Sequence, residues 1–168
     1  MQIHVLEKLL EVANTSYQRI RVLLALVSSR FDYNSSVSTH MPINLWLASQ
    51  REVDQLIAIV TDDPSYSVQE ITEDYDEFVE RSPADEKDGV VRIRGSIISF
   101  VDRLDDEFTK SLQNIDPHGT EYVDRLKDEK GLYESICQAQ AFYEKTNQPE
   151  PLARVIMRRL EHIYSKVT

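Results

Sequence analysis

The chain has 168 residues, 41% of them hydrophobic and 29% charged, with only four glycines and six prolines. A chain of this length buries roughly 70% of its unfolded surface, and so little Gly and Pro excludes a collagen-like or low-complexity chain and disfavours a turn-rich sandwich. The formal charge of −10 is concentrated in Asp62–Asp88, which holds eleven acids against Arg81 and Lys87, so no basic stripe of the kind a duplex-binding face needs is expected.

In chain order, Ile3, Leu6, Leu9, Leu10 and Val12 recur at helical spacing and predict a first helix that stops near Asn14. Thr15 followed by Gln18 reads as a capping box, after which Ile20, Leu23, Leu24, Val27 and Phe31 form a wide apolar face. This second helix is apolar on most sides and should lie centrally. Asp32 to Pro42 is dense in side chains that bond their own backbone and reads as a connection. A third helix is expected from about Ile43 to Val60, ending near Asp63-Pro64. Trp46 and the lead-in Met41-Pro42-Ile43 are read as core in preference to a docking edge.

From Ser65 to Asp88 a helical pattern (Val68, Ile71, Tyr75, Phe78, Val79) and an extended one (Tyr66, Val68, Glu70, Thr72) both fit. Ser82–Gly89 reads as loop, and Val90 to Arg94 alternates like a short strand. A small β-hairpin inserted near residues 66–94 would satisfy both. Ser96 to Asp116 is the clearest periodic segment, through Ile97, Val101, Leu104, Phe108 and Leu112. A further helix runs from about Thr120 through Tyr143, with a bend expected at Gly131, which costs about 1 kcal/mol relative to Ala. Leu152 to Tyr164 marks a last helix. The expected fold is mainly α, a single helical domain of sequential antiparallel hairpins, either an α-solenoid or an irregular bundle, carrying an acidic insertion at residues 62–89.

Candidate chemistry is sparse. Cys137 is the one cysteine, which excludes an internal disulfide framework and a Cys-based zinc site, fits a reducing compartment, and reads as an inert core thiol. The histidines at 4, 40, 118 and 162 show no metal-ligand spacing, and His162 is read as a cation near a helix C-terminus. Four scattered glycines supply no phosphate cradle, so no cofactor is expected. Asp102, Asp105 and Asp106 could form an acid/base group but are read as a solvated outer face. The longest apolar run, Val22–Val27, is far short of the roughly 20 residues that span a bilayer, and the first residues lack a signal pattern. The feature with binding content is basic: Arg154, Arg158, Arg159 and Lys166 in the last helix, and Arg92 and Arg94 on the short strand. Arg154 and Arg158 share a helix face and could meet phosphate or an acidic partner.

The strings RVLLALVSSRFDYN (21–34), SSVSTHMPINLW (35–46), RGSIISFVDRLDDEFTKSLQNIDPH (94–118), EYVDRLKDE (121–129) and RVIMRRLEHIYSK (154–166) resemble the c-subunit family of eukaryotic translation initiation factor 3. The resemblance covers about four-fifths of the chain and is weakest across Asp62–Asp88. It implies a cytoplasmic, non-catalytic helical platform between an acidic N-terminal tail that contacts initiation factors 1 and 5 and a C-terminal PCI domain that pairs with the factor's a-subunit, both expected to be absent here. The partners it implies are other subunits of the factor and the small ribosomal subunit; the alternative, read from the basic residues themselves, is an RNA-binding helical module that contacts ribosomal RNA through the basic last helix. The resemblance implies no small-molecule substrate, no membrane and no catalytic residue.

Overall fold

The structure is a computed structural model that describes residues 2–37 and 41–167, with the side chains of residues 34–37 and 165–167 outside the description. Among the described residues there are seven α-helices and one two-stranded sheet: α1 Gln2–Val12, α2 Ser16–Val37, α3 Ile43–Asp62, β1 Tyr66–Gln69, β2 Val91–Arg94, α4 Ile97–Gln113, α5 Thr120–Leu126, α6 Glu129–Lys145 and α7 Pro149–Val167. The mainly α class follows from the apolar periods that mark each long helix.

Local side-chain caps open α2 and α4. Thr15 accepts the Gln18 N–H at 3.2 Å, while the Gln18 side chain accepts the Asn14 N–H at 2.8 Å, a capping box displaced by one residue. Ser96 caps α4 by accepting from the Ser99 N–H. At Met41, ahead of α3, the N–H donates to the buried carboxylate of Glu107 at 2.9 Å, so a donor without a helical partner is satisfied from α4.

Consecutive helices pack together at both ends of the chain, as α1 on α2, α2 on α3 and α6 on α7; in the middle, α3 also packs on α4 and α6, and α4 on both α6 and α7. Sequential hairpins therefore describe the ends, and an irregular bundle describes the centre. One continuous core contains Ile20, Leu23 and Val27 of α2, Trp46, Val53 and Leu56 of α3, Val101 and Leu104 of α4, Ile136 and Phe142 of α6, and Val155 of α7. The Trp46 indole lies at the centre, fully buried, donating to the Leu104 carbonyl at 2.9 Å. α1, by contrast, has no buried residue.

Three expectations need correction. α2 runs to Val37, into the segment read as a connection, because Asp, Asn and Ser disfavour a helix by less than about 1 kcal/mol each and do not by themselves stop one; Ser38 to His40 lie outside the described residues. The inserted strands are parallel, not a hairpin, with Tyr66 opposite Val91 and Gln69 opposite Arg94. The link from 70 to 90 is long enough for the crossover that parallel pairing requires, and parallel register turns Val68, Val91 and Ile93 toward the core. The helix expected from Thr120 to Tyr143 breaks at Lys127–Asp128 and not at Gly131. Gly131 is helical, and its missing Cβ leaves room for the Gln50 amide, 3.0 Å from where that atom would stand. With the break, Val123 and Leu126 fall on the exposed side of α5 while Arg125 turns inward.

A charged junction as the candidate functional site

The basic residues of α7 meet acids of the same chain. Arg158 donates from Nε to Asp102 at 2.9 Å and from Nη1 to Asp105 at 3.0 Å and Asp106 at 2.9 Å. All three carboxylates come from the central turns of α4, so one guanidinium bolts α7 onto α4. Burial works against the Arg158 charge, but the three carboxylates outweigh it and hold the guanidinium above its ordinary range. Asp102 is pushed up from the usual carboxylate range by burial, which its pairing with Arg158 only partly offsets.

His162, one turn further on, is buried and bridges two elements: Nδ1 lies 3.0 Å from Asp105 of α4 and Nε2 lies 2.7 Å from Glu129 of α6. Both ring nitrogens face acceptors, so the imidazolium, which donates from both, satisfies the site best. The hydrogen bond to Asp105 is the leading cause that raises the His162 pKa. The cation is thus stabilised by two carboxylates rather than by the helix end.

The reading of Asp102, Asp105 and Asp106 as a solvated face is corrected in part. Asp105 is 6% exposed and Glu107 4%, because Arg158, His162 and the Met41 N–H are delivered to them from elsewhere in the chain. The junction is packed, not open. A cavity of about 290 Å³ beside it is lined by Asp102, Ala153, Arg154, Met157, Arg158 and Glu161, and neither His162 nor Asp105 borders it.

The remaining candidates point to separate partners. Arg154 pairs with Glu70 at 2.7 Å, just beyond β1. Arg159 donates to the Tyr133 hydroxyl at 2.9 Å and to Gln140 at 3.2 Å, on α6. The Lys166 side chain lies outside the described residues. On β2, Arg92 pairs with Asp88 at 2.8 Å and Arg94 with Asp74 at 3.4 Å. The structure therefore does not gather these cations on one face; it distributes them as ties between elements. Cys137 is half-buried, and among the described residues no group of three His, Cys, Asp or Glu side chains is placed to hold a metal ion. Among the same residues no helix is long and apolar enough to cross a membrane.

Two buried ions were not anticipated from the sequence. Arg125 is 1% exposed, its guanidinium carbon 4.3 Å from the Trp46 ring and 4.9 Å from the Phe108 ring, with Nε donating to Ser111 and Nη1 to Asp128. Burial lowers its pKa. Arg30 of α2 donates from Nε and Nη2 to the two oxygens of Glu52 on α3, at 2.7 and 2.8 Å. In Arg30 a signal was legible, since it stands three residues past Val27 on the apolar face; in Arg125 there was none, since its apolar neighbours Val123 and Leu126 are themselves exposed.

These features define a class: a mainly α protein whose charged side chains act as ties between helices, with the surface left for contact. Residues 1–168 match the family described as eukaryotic translation initiation factor 3 subunit 8 N-terminus, and the chain belongs to that family. It is 57% identical over 167 residues to the C-subunit of eukaryotic translation initiation factor 3 from Mycosarcoma maydis, covering 98% of this chain and 18% of that protein. It is 46% identical over 173 residues to the C-subunit of the same factor from Pyricularia oryzae, covering 98% of this chain and 20% of that protein. The chain thus spans about a fifth of the length of the relatives it matches.

Proposed function

We propose that this chain is a non-catalytic helical scaffold of translation initiation factor 3 that supports assembly of the pre-initiation complex on the small ribosomal subunit in the cytoplasm. It works as a single helical unit whose acidic crossover, residues 62–89, is part of the same body. The observation that carries the reading is the use of Arg158 and His162 to tie α7 to α4 and α6: the ionisable groups that converge are spent on ion pairs within the chain, with His162 and Asp105 packed inside the junction. A stiff array of paired helices with an outer surface available for contact suits holding several partners. Its partners on this reading are other subunits of the factor and the small ribosomal subunit. Capture of individual factor subunits and of small ribosomal subunits by the immobilised protein is expected; failure to retain any of them sinks the proposal.

Direct contact with ribosomal RNA through Arg92, Arg94, Arg154, Arg158, Arg159 and Lys166 is the second reading. What favours it is the partial exposure of Arg94 and Arg154, at 43% and 38% of their side chains. What weighs against it is the carboxylate already beside each of these two. RNA affinity that falls steeply with salt and is lost in an Arg94→Ala, Arg154→Ala double variant would favour RNA over protein docking.

A further inference from the structure

The acidic crossover carries the most exposed large apolar side chain among the described residues. Phe78 is 98% exposed, and Ile71 and Val79 of the same segment are 87% and 54% exposed. Single exposed apolar residues are ordinary, but this ring is held in place. The Asp76 carboxylate accepts the Phe78 N–H at 2.9 Å and the Asp76 carbonyl accepts the Val79 N–H at 3.3 Å, which closes a turn with Phe78 at its third position. The Tyr17 hydroxyl donates to the Val79 carbonyl at 3.4 Å and the Gln18 amide to Glu80 at 2.7 Å, so the turn is tied to α2. Between the turn and α2 lies a cavity of about 270 Å³, lined by Tyr17, Val22, Phe78 and Val79 together with Glu77 and Glu80. Arg21, which also lines it, donates to the Tyr17 hydroxyl at 2.8 Å. A presented ring thus stands beside a hollow with room for about one large side chain.

We propose that Phe78 and this cavity form a docking surface for a basic segment of another protein, one that carries a large apolar side chain between Lys or Arg residues. The proposal deepens the scaffold reading, on which it rests, by naming one face and the chemistry of what docks there. Charge selects the occupant. Residues 70–80 hold six acids and no Lys or Arg. The cations around them are spent elsewhere: Arg81 on Glu86, Arg92 on Asp88, Arg94 on Asp74 and Arg154 on Glu70. Among the described residues, Glu73, Asp76, Glu77 and Glu80 are left without an ion pair, in contrast to the charges of the α4–α7 junction. Such a face repels nucleic acid, and a second copy would set acid against acid. A basic segment pairs with Glu77 and Glu80, puts its own apolar side chain into the cavity and takes Phe78 in exchange. Aromatic anchors carry a large share of interface energy, and a turn already held in shape loses little freedom on binding.

The test reads what touches the ring. A photoreactive side chain is placed there as Phe78→benzoylphenylalanine in the full polypeptide made in cells, the crosslinked segment is identified by mass spectrometry, and that segment is remade as a synthetic peptide. The expected crosslink is to a protein segment with Lys or Arg on both sides of a large apolar residue, and Glu77→Lys with Glu80→Lys should lower its yield about tenfold or more. The peptide should bind this chain with an affinity that falls as salt is raised and that drops about 30-fold or more in Phe78→Ala. The melting temperature of Phe78→Ala should match that of the native chain, since the ring packs on so little. Crosslinks to RNA, to a second copy, to a segment without basic residues, or to nothing at all overturn the proposal. So does native affinity of Phe78→Ala for the peptide. The crosslink is read whichever protein supplies the segment, so failed capture of factor subunits and ribosomes would remove the scaffold reading and leave this result standing. Successful capture with no crosslink at position 78 would do the reverse.

Discussion

Asp105 and His162 stand 57 positions apart in sequence and 3.0 Å apart in space, joined inside a junction where Glu129 faces the other nitrogen of the ring. Asp105 and Arg158, from α4 and α7, and Glu129 and the Tyr133 ring, from α6, surround the imidazole. Its folded pKa is raised above 6.5. A group raised on folding stabilises fully below its unfolded pKa, and that contribution is lost as pH rises through the folded value. The stability difference between the native chain and His162→Ala should therefore be larger near pH 6 than near pH 9. Urea melts across that range measure it, and a difference that grows with pH would contradict the assignment.

Arg158 carries three ion pairs while only 20% of its side chain is exposed. Arg158→Ala leaves Asp105 and Asp102 with reduced compensation and should cost about 2–4 kcal/mol, a little below the range for breaking a fully buried pair. Adding Asp105→Asn should recover part of that loss, since the two sites share one contact. Additive losses in denaturant titrations would show that the pair is not coupled.

Arg125 is held by two rings and two hydrogen bonds, and its Nη2 is buried with no hydrogen-bond partner. A buried ion with an unsatisfied donor is replaceable by an apolar side chain of similar length. Arg125→Met should change stability by less than about 1.5 kcal/mol, whereas Arg125→Ala, which empties the space against Trp46 and Phe108, should cost about 2–4 kcal/mol. Thermal melts of the two variants separate packing from charge.

The acidic crossover is pinned in spite of its composition. Tyr75 lies under the guanidinium of Arg81 at 4.4 Å and near that of Arg94 at 5.5 Å, and its hydroxyl accepts the Arg94 N–H at 3.0 Å. Three residues on, Phe78 is 98% exposed. Tyr75→Ala should speed chymotryptic cleavage after Phe78 and leave the global melting temperature within about 2 °C, because exposed segments open locally. Unchanged cleavage kinetics would mean that Tyr75 does not anchor the segment.

Gly89 adopts φ +74° with open space where a Cβ would stand. Gly89→Ala should thus cost about 1–2 kcal/mol for backbone conformation alone, and Gly89→Asn less. Equal stability of all three, read by chemical denaturation, would show that the turn relaxes freely.

The positions of α3, α4 and α7 were legible from periodicity, since Trp46 to Val60, Ile97 to Phe108 and Leu152 to Tyr164 each trace a helical face. Family membership was legible from long matched strings on those same helices. Charge was not. Arg154, Arg158 and Arg159 read as a basic patch because their neighbours in sequence include few acids, yet their carboxylate and hydroxyl partners come from Glu70, α4 and α6.

Apolar period is a local property: a residue's place on a helix face is set by its neighbours a few positions away, so the sequence alone determined that the protein is mainly α and where α1, α3, α4 and α7 lie. Whether an ion is inside or outside depends on whether an opposite charge is brought to it across the fold, as Asp105 is brought to Arg158 and Glu52 to Arg30. The parallel pairing of β1 with β2, the break before α6 and the outward turn of the apolar face of α7 have the same origin. Each was decided by contacts between distant segments, which only the tertiary structure supplies.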